Sequence, residues 1–547
     1  MRERALRDIS GAAFDAVVVG AGVNGCGVAR DAARRGLRVL LLDKGDLSAG
    51  TTAASTRLIH GGLRYLEHGE VGLVRESLRE RETLLGKVAP HLVRPLPMLF
   101  PVYKGRRRGL LTVRAGMLAY DLLSSSKSLP RHRMLNAAEA LEHAPGLNPE
   151  ALRGAALFYD AQVEFAERLA VENALDARAH GATVLTYARV ERLLVEGGAA
   201  RGVVFRDLLG GTTYKVRASF VLNAAGPWVD EVLEGAGAEE EKLIGGTKGS
   251  HVVVRAFDGA PRAAVYAEAS EDGRPFFVVP WDGKLLVGTT DERFAGDLDA
   301  VEAGVSEIEY LLRETNRLLP TARLTRADVL YTYAGVRPLP RVADGAESGI
   351  TRRHFVRQSR VRGLYSVVGG KLTTYRSLAE GAVDLIFRVL GKTAPPCETA
   401  QAPLPGAAVE DFGTFRRDFN ARSTLPPAST VRLLKVYGAR AAEVLRLAQG
   451  DAELSQVISE ETGSVGAEVV YAFREEMAET LADCLLRRTM VGLNGSVGLD
   501  ALERAARVAR QFLGWDDARA ALEVESYRDH VRRLNPNRGR DYELTKN

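Results

Sequence analysis

Three glycines and one acid carry the first chemistry legible in this chain. Gly20, Gly22 and Gly25 spell G-x-G-x-x-G, and Asp43 stands 23 residues after the first of them. Gly20 permits a tight turn, Gly22 lets backbone approach a pyrophosphate, and Gly25 lets a helix pack on a strand. An acid at the position of Asp43 meets ribose hydroxyls. The chemistry implied is the holding of a dinucleotide. The motif alone does not separate NAD from FAD.

Those residues need specific elements around them, and the sequence supplies each. Ala16 to Val19 is a short β-branched run, a helical segment follows to about Arg35, and "LRVLLLD" is a second apolar strand ending on Asp43. The helix N-terminus then faces the phosphates with unpaired N–H groups and the positive end of its dipole.

At 547 residues the chain is too long for one ordinary domain, so two or three are expected. A net charge of +4, from 74 basic and 70 acidic residues, gives no strong case for nucleic acid. Cys26, Cys397 and Cys484 form neither a disulfide framework nor a zinc site, which fits a reducing compartment. "MRERALRDIS" has no signal-peptide apolar core, and no uncharged run is long enough to cross a bilayer. The expected location is cytoplasmic, or peripheral on the inner face of the cell membrane.

Further along, "KGRRRGLLTVRAGMLAYDLL" sets Arg106, Arg107 and Arg108 beside an apolar helical stretch. It reads as a solvated basic loop before a half-buried helix, or as a contact with an anionic membrane surface. "SFVLNAAGPWVDEVLEGAG" repeats strand, small residues, glycine and helix, like a return to the nucleotide-binding sheet. From Gly245 to about Pro340 strands dominate. "GLYSVVGGKLTTYRSLAEGAVDLIFRVLG" gives a last strand, the Gly369-Gly370 turn and a helix. Past the proline-rich "KTAPPCETAQAPLPGAA" the pattern is helical. There Val470, Phe473, Met477, Leu481 and Cys484 mark one face of an amphipathic helix.

Taken together, "GAGVNGCGVARDAARRGLRVLLLDKGDLSAGTTAASTRLIHGGLRYLEHGE", "NAAGPWVD", "GTKGSHVVV", "VVPWDGKLLVGTTD", "TYAGVRPL", "GGKLTTYR" and "LADCLLRRTMVGL" resemble, in order, the motifs of FAD-dependent glycerol-3-phosphate dehydrogenases. The resemblance spans nearly the whole chain. It implies an α/β fold: a Rossmann-like FAD-binding domain over 14–100, 155–240 and 345–392, and an inserted β-rich substrate domain over 101–154 and 241–344. An all-α C-terminal domain over 395–547 completes it. It implies noncovalent FAD, and oxidation of sn-glycerol 3-phosphate to dihydroxyacetone phosphate. Membrane quinone as electron acceptor, a peripheral membrane surface and a homodimer are also implied. Arg57 stands where many relatives carry lysine, and "QVEFAERLA" offers Glu164 and Glu167 where paired aspartates are expected.

A phosphorylated secondary alcohol needs cations for its phosphate and an acceptor for its hydroxyl proton. Arginine suits phosphate because its planar fork binds two oxygens at once. Arg337, in "AGVRP", is the first candidate for that contact; a structural ion pair is the other reading. Arg57, Arg64, Lys371 and Tyr375 are further substrate candidates, and Arg64 could equally pair with Glu67 or Glu70. His60, in "LIHGG", is one candidate base and His251, in "KGSH", its rival; either could be structural. Candidate flavin contacts are Thr51, Thr52 and Ser55, then Gly61, Gly62, Gly226, Gly369, Gly370, Lys371, Leu372 and Thr373. The last group sits at a helix start, where N–H groups and positive charge would stabilise an anionic reduced ring. No metal site is expected. An oxygen-using oxidase on the same substrate, an amine or amino-acid oxidase of the same fold, and a noncatalytic FAD-binding scaffold are the competing functions.

Overall fold

The computed structural model describes residues 2–9, 11–67, 69–124, 127–235, 237–238, 241–342 and 353–537. The expected boundary at 345 and the C-terminal end at 547 lie outside these described residues.

Two sheets organise the chain. In the first, Val39–Leu42 and Thr213–Asn223 flank Ala13–Val19 in parallel, and Thr183–Leu185 and Leu364–Val368 extend the parallel set on either side. The central strands are apolar on both faces because both are covered: one by helices, the other mainly by the strands Ala188–Glu196 and Ala199–Asp207 with the short helix Val229–Gly235. The helix Val23–Arg34 lies between Ala166–Ala179 and Tyr375–Leu390. Gly27 permits that approach: a Cβ there would stand 2.8 Å from the Tyr375 ring.

The second sheet is ten-stranded. Its Thr247–Arg255 strand pairs antiparallel with both Lys284–Gly288 and Val329–Arg337. Leu58–Ile59, Val93–Tyr103 and Leu152–Val163 also belong here, and the last two pair antiparallel along nearly their whole length. This corrects the expected segments: the strands within 58–100 and 155–163 belong to the second sheet, not to the nucleotide-binding one. Pro95, Pro97 and Pro101 share one parity in that strand, so the missing N–H groups fall on one edge. On its other side the strand pairs with Ala264–Glu268 only at Met98 and Leu99, which spares the prolines.

From Phe412 the chain is helical through Asp517–Arg532, apart from the small hairpin of Val457–Ser459 and Ser464–Val465. The single amphipathic helix expected across 470–484 is two pieces. Gly466–Glu475 ends, Met477 takes φ +58°, and a new turn starts at Leu481 with Thr480 capping it. The break frees Glu476, whose carboxylate binds Arg168 and Arg440 in the interior.

Candidate active site

Two adjoining cavities open where the sheets meet, of 490 Å³ and 430 Å³. The first runs past the glycine loop and Asp43; the second lies over the substrate sheet. Thr51, Ser55, Gly370, Lys371 and Leu372 border both.

The first cavity begins at the turn after Ala13–Val19. Gly20 has φ +104°, and a Cβ there would come within 2.7 Å of the Ala224 carbonyl oxygen. A Cβ on Gly25 would overlap the Gly20 carbonyl. These two glycines are demanded by the protein itself. Gly22 is different, since its Cβ would meet only Thr52 Oγ1, at 3.4 Å. Its bareness keeps open a space at the start of the helix Val23–Arg34, where first-turn amides lack intrahelical partners. Thr52 Oγ1 accepts from the Val23 amide at 3.1 Å. Asp43 accepts from the Ala21 and Gly45 amides at 2.5 and 2.8 Å. Burial raises the Asp43 carboxyl above its ordinary range, against those two amides. Trp228 and Lys44 form the outer rim, both bonded to Asp299 at 3.0 and 2.6 Å. Gly226, at φ +59°, lies on the same wall.

Asn24 was not singled out by sequence reasoning. Its buried Oδ1 has no hydrogen-bond partner among the described residues. Its amide nitrogen would lie 2.6 Å from a Cβ at Gly370, so the two loops meet here only because position 370 is glycine. A bare Gly22 and an unsatisfied acceptor in one wall fit a bound dinucleotide.

In the second cavity Arg337 is held from several sides. Its Nη1 donates to Asp291 Oδ1 at 2.8 Å and Thr247 Oγ1 at 3.2 Å; its Nη2 donates to Thr289 Oγ1 at 3.0 Å and the Thr290 carbonyl at 3.1 Å. Gly249 makes the room, because a Cβ there would overlap the guanidinium. Arg274 enters the same cavity and donates to the Asp291 carbonyl at 2.6 Å. Asp291, one residue past the "VGTT" run, and Arg274 were both missed. Arg274 sits on an exposed loop where nothing in the sequence separates it from a solvated charge.

His60 lines this cavity, half-buried, with its ring edge toward Phe277 and its amide donating to Thr373 Oγ1 at 3.1 Å. His251 lines it too but is buried. Its ring stacks on Tyr333 at 4.8 Å, its Nε2 lies 2.9 Å from Thr56 Oγ1, and its Nδ1 has no partner among the described residues. Burial, then Arg337 and Arg57, push this imidazole down to about 3, so it is neutral near pH 7. Arg64, Gly62 and Thr373 share the cavity, and Lys371 Nζ stands 3.7 Å over the Tyr65 ring.

Several expected contacts lie elsewhere. Tyr375 is fully buried outside both cavities, and its hydroxyl accepts from Asn173 Nδ2 at 3.1 Å. The helix it opens turns this side chain into the core against Gly27. Gly61 backs onto Tyr120, whose hydroxyl accepts its amide hydrogen at 2.9 Å, and lines neither cavity. Gly369 lies behind the wall, its amide donating to the Pro338 carbonyl at 2.8 Å. Arg57 borders both cavities, yet its guanidinium is bidentate to Glu167 at 2.7 Å and lies 4.6 Å over the Trp281 ring. Burial opposes its charge, but Glu167 outweighs burial and holds the guanidinium above its ordinary range. Arg57 is thus a buried strut between the sheets.

A family model described as FAD dependent oxidoreductase matches residues 15–379, and one described as the C-terminal domain of alpha-glycerophosphate oxidase matches 397–520. A glycerol-3-phosphate dehydrogenase of Synechocystis sp. is 44% identical over 539 residues, covering 96% of this chain and 97% of that protein. The chain belongs to the FAD-dependent glycerol-3-phosphate dehydrogenase family. An aerobic glycerol-3-phosphate dehydrogenase of Bacillus subtilis is 34% identical, with 89% of each chain covered. The crystal structure of the Bacillus halodurans glycerol-3-phosphate dehydrogenase complexed with FAD superposes with a TM-score of 0.79 at 30% identity, covering 97% of both chains.

Proposed function

We propose that the protein oxidises sn-glycerol 3-phosphate to dihydroxyacetone phosphate and passes the electrons to membrane quinone. The observation that carries this reading is the junction of the two cavities: His60 and Arg337 line the one that meets the glycine-loop cavity along Thr51, Ser55 and Gly370 to Leu372. Bound FAD supplies the hydride acceptor, and the protein supplies position, charge and a path for the proton.

In this reading Gly22, Asn24, Thr52 and Asp43 hold the dinucleotide. Arg337, Arg64, Arg274 and Lys371 present positive charge to the phosphate. Arg337 is pre-oriented, because Asp291 and Thr289 fix its fork before substrate arrives. His60 accepts the hydroxyl proton. Its half-buried ring lines the cavity, whereas His251 is buried and held neutral. Neutral His251 serves as a hydrogen-bonding wall beneath Thr56.

Membrane docking falls to the helix Leu110–Leu123. Its Val113, Met117 and Tyr120 face the core, while Leu111 and Leu122 are 83% and 81% exposed on the other side. Exposed Arg107 and Arg114 flank that apolar stripe, a pairing suited to an anionic leaflet. No helix among the described residues is long and apolar enough to cross a membrane. Assembly is as a homodimer. Oxygen is the second acceptor to consider, because the C-terminal model takes its description from an oxidase.

Turnover with sn-glycerol 3-phosphate and a water-soluble quinone, with hydrogen peroxide followed in parallel, tests the proposal. Quinone reduction with little peroxide is expected. Stoichiometric peroxide with no quinone reduction would make the protein an oxidase, and no turnover with this substrate would remove the reading.

A further inference from the structure

The C-terminal helices do more than pack beside the cofactor domain. Leu486, Arg487 and His530 line the glycine-loop cavity together with Asp43 and Gly45. Three residues past Asp43, Asp46 is fully buried and held from the C-terminal domain. Arg487 Nε donates to its Oδ2 at 2.6 Å, and Arg488 donates through Nη1 and Nη2 at 2.9 and 2.7 Å. Arg487 is anchored in turn by Asp483 at 2.7 Å, and Asp483 also accepts from the Tyr187 hydroxyl at 2.7 Å. The neighbouring chain closes the circle. The Tyr187 amide donates to the Gly45 carbonyl at 2.9 Å, and the Ala188 amide to the Asp43 carbonyl at 2.6 Å. Both segments that wall the acid end of the cavity are therefore tied to residues 483–488.

We propose that the C-terminal domain clamps the loop 43–48 for FAD binding, with Asp46, Arg487 and Arg488 as positioning residues. The inference rests on the reading that this cavity holds FAD. The clamp acts by pre-organisation: Asp43 and the Gly45 amide are fixed before the cofactor arrives, which lowers the ordering cost of binding. Linkage then makes the effect reciprocal. Bound FAD must tighten the docking of 481–493 by the same factor that docking tightens FAD.

The test uses deflavinated full-length protein titrated with FAD, reading the dissociation constant from quenching of flavin fluorescence. Asp46→Asn should raise it at least tenfold, and Arg487→Lys should shift it in the same direction. Glu476→Gln is the control: it weakens the Arg168 and Arg440 pairs in the same interdomain contact but keeps the backbone carbonyl that Arg488 Nε donates to and leaves the Arg488–Asp46 bonds in place, and it should stay within threefold of wild type. An unchanged constant in Asp46→Asn, or an equal rise in Glu476→Gln, overturns the clamp. If Asp46→Asn does not fold, Arg487→Lys against Glu476→Gln decides by the same comparison. Amide hydrogen exchange across 481–493 should slow when FAD binds wild type; no change contradicts the proposal. Wild type that binds no FAD would instead remove the underlying cofactor reading.

Discussion

Arg337 and Asp291 form an ion pair at 2.8 Å inside the second cavity, and the second arm of the same guanidinium is fixed by Thr289 and the Thr290 carbonyl. The arginine is pinned while its edge still borders open space. Truncation to alanine should leave flavin content unchanged and raise KM for sn-glycerol 3-phosphate by about 10- to 100-fold, the worth of one or two charge-assisted hydrogen bonds. Steady-state kinetics check it. An unchanged KM would return Arg337 to a purely structural role.

The two outer glycines of the loop should behave differently from the middle one. Gly22→Val should give folded protein without flavin, since only Thr52 Oγ1 approaches that site from the protein. Gly25→Ala should fail to fold, because its Cβ overlaps the Gly20 carbonyl. Circular dichroism with the ratio of flavin to protein absorbance separates the two outcomes.

Arg57 should prove a stability residue. Arg57→Ala leaves Glu167 buried without its partner and should cost about 3–5 kcal/mol, read as a fall in the urea midpoint. Removing a substrate contact would instead raise KM with little loss of stability.

His251 gives a pH signature. The ordinary imidazole value is 6.5, and burial lowers it to about 3 in the fold. Between those values the unfolded chain binds a proton that the native chain refuses, so stability falls as pH drops below 6.5. From pH 7 to pH 5 the loss from this one group is about 2 kcal/mol. His251→Gln should flatten acid denaturation over that window by a similar amount, and an identical acid profile in the variant would contradict the burial argument.

How much of this the sequence disclosed depends on the range of the interaction. The opening strand, turn and helix were legible because Gly20 and Gly25 encode local clashes and Asp43 follows at a fixed reach. Nothing in the residues of Val93–Tyr103 names its strand partners, so the stretch was assigned to the wrong sheet. Tyr375 looked like a site residue from its place after Gly369-Gly370, yet the helix points it inward onto Gly27. The partners of Arg57 and Arg337, Glu167 and Asp291, lie far along the chain, and nothing local announces them. The break at Met477 depends on what Glu476 binds, which periodicity does not register.

The exposed stripe on Leu110–Leu123 makes its own prediction. Leu111→Glu with Leu122→Glu should release the protein from vesicles containing anionic lipid while leaving turnover with a soluble quinone intact. Co-sedimentation measures it, and undiminished vesicle binding would move the membrane contact elsewhere.

The central claim is that His60 and Arg337 hold sn-glycerol 3-phosphate where a bound flavin would accept its hydride. An anaerobic titration of the purified protein with that substrate, followed in the visible flavin band, tests it most directly. Bleaching at one equivalent of substrate per flavin is the predicted result. A yellow protein that keeps its full absorbance at saturating substrate would contradict the account.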